Sequence, residues 1–137
     1  MPVHVSWDNE DKTIIHYQFD QDWTWEEFFP AKARAQELID TVPHKVGVIL
    51  ETHHNGAVRP NLLGNFRNGL RTKHPNTVIV VIVVTRPFIR TMIGTVLALS
   101  PLANVHIEMA YTLEEARPII LDYLRKIQPD VMKQSDY

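Results

Sequence analysis

A chain of 137 residues points to one domain, and a composition 45% hydrophobic and 22% charged is that of an ordinary soluble globule. A formal charge of −2, with Lys and Arg dispersed rather than striped, gives no pull toward nucleic acid or an anionic membrane. The absence of cysteine excludes disulfides, thiol nucleophiles and thiolate metal sites, and no apolar run approaches the roughly 20 residues of a transmembrane segment.

Residues Val3–Trp7 and Thr13–Phe19 alternate, with a polar turn at 8–12 between them, which predicts an N-terminal antiparallel hairpin. Thr24-Trp25-Glu26-Glu27 is a capping box opening a helix to about Thr41, with Phe28, Phe29, Ala35, Leu38 and Ile39 inward. Val46–Leu50 reads as a short buried strand. After a loop through Gly56, Leu62, Leu63, Phe66 and Leu70 recur at helical spacing, so a helix is expected from about Arg59 to Lys73. Gly64 and Gly69 fall inside it, as positions for close packing. Val78–Val84 is an unbroken β-branched apolar run, which reads as a strand covered on both faces, the signature of a parallel-sheet interior. A third helix should run from Pro87 to about Leu99, a fifth strand over Val105–Met109, and a last helix from the capping box Thr112-Leu113-Glu114-Glu115 to about Ile127. Pro30 and Pro118 each lie six residues beyond the capping threonine and should bend or restart their helices.

The order β-β-α-β-α-β-α-β-α implies an α/β three-layer sandwich around a mostly parallel five-stranded sheet, with right-handed crossovers after the antiparallel hairpin. One domain spans residues 1–127, and 128–137 is a polar, flexible tail. Residues 1–20 are charged and alternating, unlike a signal peptide, so a cytoplasmic setting is expected.

This succession, with Val46–Leu50 leading into a polar loop and Thr112-Leu113-Glu114-Glu115-Ala116 after the last strand, resembles the STAS domain. That is the anti-sigma-factor-antagonist fold, and the closest resemblance is to its divergent STAS-like relatives. It implies a non-enzymatic regulatory or protein-binding module. In regulatory members the third strand ends in an acidic residue, a phosphorylatable Ser or Thr and a helix-opening glycine. Here Glu51 and Thr52 match, but His53 and His54 replace the small residue and glycine, so Thr52 is not expected to be an efficient phospho-acceptor.

A sheet of this kind puts its default ligand site at the carboxyl ends of the strands. Glu51, Thr52, His53, His54, Asn55, Arg59, Arg86, Arg90 and Tyr111 are the candidates there, Arg86 and Arg90 suggesting an anion pocket. His53-His54 lacks metal-ligand spacing, the three serines (Ser6, Ser100, Ser135) avoid strand-to-helix elbows, and no Gly-rich phosphate loop occurs. Neither metal, cofactor nor catalytic residue is therefore assigned. Apolar residues nearly encircle the third helix, and Ile89, Met92, Ile93, Val96 and Leu97 are the candidate interface of a homodimer or of another protein partner. The alternatives are a carrier of a small apolar or anionic ligand, marked by an apolar cavity under the third helix, and an enzyme using the strand-end rim.

Overall fold

Hydrophobic alternation and apolar runs become strands β1 (Val3–Trp7), β2 (Ile14–Phe19), β3 (Val46–Glu51), β4 (Thr77–Val83) and β5 (His106–Ala110) in a computed structural model describing residues 3–53, 59–99 and 105–127. Helices α1 (Trp25–Asp40), α2 (Leu62–Arg71), α3 (Pro87–Leu99) and α4 (Leu113–Ile127) fill the intervals. The tail 128–137 lies outside the described residues.

The sheet order is β1-β2-β3-β4-β5, with β1 antiparallel to β2 and every later pair parallel. β4 is interior, as its two-sided apolar character requires. Because β2 to β5 follow one another in a single direction, crossovers of one hand put all three connecting helices on one face. There Ile15, Tyr17, Val48, Val80 and Ile82 meet residues of α1, α2 and α3. α4, which follows the last strand, covers the opposite face, where Ile49, Ile79 and Val81 pack on Ala116, Ile120 and Leu124. The result is a three-layer α/β sandwich with three helices on one side and one on the other.

Local chemistry sets the boundaries. Glu27 accepts the Thr24 backbone N–H at 3.0 Å, closing the capping box of α1. At α4, Thr112 Oγ accepts the Glu115 N–H at 3.1 Å, and the Glu115 carboxylate accepts that of Tyr111 at 2.8 Å. Neither Pro30 nor Pro118 restarts its helix. Both prolines and the residues whose carbonyls they free, Glu26 and Glu114, are exposed, so water replaces the lost hydrogen bond. α2 begins at Leu62 rather than Arg59, because Asn61 adopts a left-handed conformation (φ 60°) that a helix cannot include.

Candidate functional site

The nine strand-end candidates do not converge on one pocket. Glu51, Thr52, His53 and Tyr111 line a polar cleft with Gln18, Asp20, Thr85, Thr112 and Glu114. Its charged walls are the carboxylates of Asp20, Glu51 and Glu114, so the described residues form no basic pocket there. Arg90 is committed to structure: Nη1 donates to the Val84 carbonyl at 2.8 Å and the Ala110 carbonyl at 3.3 Å, and the guanidinium carbon lies 3.8 Å over the Tyr111 ring. Arg86 faces a different cavity, described below, and Arg59 lines neither. His54 and Asn55 lie outside the described residues.

Glu51 belongs instead to a charged chain that sequence reasoning missed. His16 Nε2 donates to Glu51 Oε1 at 2.8 Å, and Nδ1 stands 3.8 Å from Asp8 Oδ1. Asp8, its side chain only 6% exposed, receives two hydrogen bonds from Arg117, from Nε at 2.8 Å and Nη2 at 3.1 Å. This array ties the hairpin to β3 and α4. One signal was available. β2 alternates Ile15, Tyr17 and Phe19 inward against His16 and Gln18, so in the parallel register the imidazole shares a face with Glu51.

A second, apolar feature lies between the sheet and its three-helix layer. Tyr17, Val48, Leu50, Val80, Ile82 and Val84 floor a cavity of about 180 Å³. α1 walls it with Phe28, Ala35 and Ile39, α2 roofs it with Leu62, Leu63, Phe66 and Leu70, and Ile89 and Ile93 of α3 close one side. Trp23 and Trp25 stand at one end, within a chain of ring contacts that links Tyr17, Phe19, Trp23, Trp25, Phe28 and Phe29. Tyr17 is 6% exposed, lines the cavity, and its hydroxyl makes no hydrogen bond among the described residues. Burial pushes its pKa up, so the phenol stays protonated and keeps a proton to donate, with no acceptor among the described residues.

α2 is fastened as a roof at both ends. Trp25 Nε1 donates to the Pro60 carbonyl at 2.9 Å. At the other end Lys32 Nζ donates to Thr72 Oγ, and Gln36 Nε2 to the Thr72 carbonyl at 3.0 Å. The two glycines do not serve close packing, because a Cβ at Gly64 or Gly69 would meet no atom within 4 Å. They lower helix propensity with no packing return. Gly64→Ala is therefore expected to stabilise the protein by about 0.5–1 kcal/mol, read as a higher urea midpoint at unchanged slope.

Along α3, Ile89 and Ile93 turn inward as core and cavity wall, Met92 and Leu97 are half-buried against the core, and Phe88 is 68% exposed. The Val96 side chain lies outside the described residues. Among the described residues no group of three or more His, Asp or Glu is placed to hold a metal ion, and no helix is long and apolar enough to cross a membrane. Compared with known proteins, the chain matches no family model, no curated protein and no solved structure.

Proposed function

We propose that this chain is a non-enzymatic binding module whose ligand is a small, mainly apolar molecule held between the sheet and α1, α2 and α3. The supporting observation is the cavity of about 180 Å³ into which the protein turns a row of β-branched and aromatic side chains. Apolar cavities of roughly 150 Å³ stay dry and take benzene-sized molecules, because water finds no partners in them. Left empty, this apolar lining forgoes the packing contacts and burial that an occupant would supply, a cost that grows with the volume left unfilled. A ligand recovers that cost and gives the donor of Tyr17 something to meet. Trp23 and Trp25 line the cavity and report occupancy by fluorescence. A series of C6 to C12 alkyl compounds should change tryptophan emission saturably and raise stability, by about 2.7 kcal/mol at a hundredfold excess over Kd. If no member of the series does either, the ligand-binding reading fails.

A second reading, a regulatory module of STAS-like type, draws on the element order and on Thr52 directly after β3. Thr52 argues against a phosphorylation switch of the usual kind. Its Oγ donates to the Val83 carbonyl at 2.8 Å and its N–H bonds the same oxygen at 3.1 Å, which holds the hydroxyl against β4. Intact mass and phosphopeptide mapping of protein purified from cells should show Thr52 unmodified. Stoichiometric phosphate there would put the signalling reading first.

A further inference from the structure

The charged side chains that line the cavity share one sign. Lys32, Lys73 and Arg86 are among its lining residues, and no Asp or Glu is, although acidic residues outnumber basic ones 16 to 14 in the chain. Two of the three reach the same end. Lys32 on α1 bonds Thr72, the residue before Lys73, just beyond the last turn of α2. Lys73 makes no hydrogen bond or ion pair among the described residues, and the charge acting on it is another ammonium, that of Lys45. Burial lowers the pKa of both Lys32 and Lys73, so each bears a desolvation cost without a carboxylate to offset it. His74, at the same end, adds no negative charge: its Nδ1 accepts the Asn76 N–H at 3.0 Å while Nε2 donates to Asp40. Asp40 is 71% exposed and does not line the cavity. The carboxyl end of α2 contributes only about half a negative charge, less than the two ammonium groups beside it. The remaining polar feature of the floor, the Tyr17 hydroxyl, is again a donor.

We infer that the ligand is an anionic amphiphile: its apolar body fills the cavity over Val48, Val80 and Ile82 beneath Phe66 and Leu70, and its acidic head lies at the Lys32–Lys73 end. This rests on the ligand-binding reading above and adds the ligand's charge and orientation. An apolar floor selects for a hydrocarbon body and nothing more. A head bearing negative charge is what two partly desolvated ammonium groups with no carboxylate partner among the described residues recognise, and a neutral or cationic head forfeits that attraction.

The test uses three probes with one ten-carbon tail, decanoate, 1-decanol and decyltrimethylammonium, titrated into the full chain while tryptophan emission is followed at pH 7. Decanoate should bind at least tenfold more tightly than 1-decanol, with decyltrimethylammonium weakest. Lys73→Gln should weaken decanoate five- to tenfold and leave 1-decanol unchanged, and Lys73→Glu should reverse the order of the two charged probes. Far-UV circular dichroism should be the same in both variants, since Lys73 makes no hydrogen bond or ion pair among the described residues. Equal affinity for decanoate and 1-decanol, or a decanoate affinity indifferent to Lys73, overturns the anionic head while leaving an apolar binding site in place. Binding of none of the three overturns both the head and the cavity reading.

Discussion

Gly47→Ala should destabilise the domain by roughly 2–3 kcal/mol, a fall in Tm of about 8 °C for a chain of this size. A methyl group at this position would sit 2.4 Å from Cγ2 of Ile120 and 3.0 Å from Cγ2 of Ile79. Both neighbours are fully buried, so neither can swing into solvent to make room. Replacing Gly by Ala in a strand ordinarily gains about 0.5–1 kcal/mol, and that gain is set against an overlap it cannot match. Gly47 is what lets α4 lie close on β3. The cause is isolated by a second variant. Ile120→Ala removes both nearby γ-carbons and should alone cost about 3–4 kcal/mol through the cavity it leaves. In the double variant the new methyl enters that cavity, so the two losses should fall short of additivity by about 2 kcal/mol in urea unfolding. Strict additivity would show that Gly47 and Ile120 do not touch.

The fold was legible because its strongest signals are local. The all-apolar run at 78–84 forces a two-sided burial that only an interior strand provides, and the capping boxes at Thr24 and Thr112 locate two helix starts to within a residue. Local pattern falls short where it meets tertiary geometry. Asn61 enters a left-handed turn, which Pro60-Asn61 permits but apolar periodicity does not register, and Gly64 and Gly69, expected as positions for close packing, face open space.

The candidate site was less legible, for a topological reason. A ligand crevice forms at the strand ends of a parallel sheet where the strand order reverses and neighbouring helices part to opposite faces. Here β2 to β5 follow in one direction and their helices share a face, so no such crevice separates Glu51 from Arg86 and Arg90. The space appears instead between layers, where the roof does not settle fully onto the floor. Periodicity shows that Leu62, Phe66 and Leu70 face inward, but not how far they stand from Val48 and Val80. The charged chain of Asp8, His16, Glu51 and Arg117 draws on three distant stretches of sequence, and only the register of β2 against β3 brings its middle pair together.

That difference between the two faces of the sheet makes adjacent residues of β4 respond to the same substitution with opposite sign. Val80 and Val81 are both buried, at 4% and 0% exposure, and share backbone, strand and side chain. Val80 looks into the cavity, whereas Val81 packs among Ile49, Ile79, Ala116 and Ile120 beneath α4. Val81→Phe must force extra carbons into a region already filled and should cost about 3 kcal/mol, at the upper end for overpacked cores. Val80→Phe moves its ring into empty space. By the cavity term of ~24 cal/mol per Å³ it should stabilise the apo protein by about 1 kcal/mol. The same ring occupies the volume assigned to the ligand, so Val80→Phe should also abolish the tryptophan response to decanoate. A thermal melt and one fluorescence titration on each variant decide the matter. Were Val80→Phe as damaging as Val81→Phe, the roof would already rest on the floor, and the space that supports the binding proposal would not exist in solution.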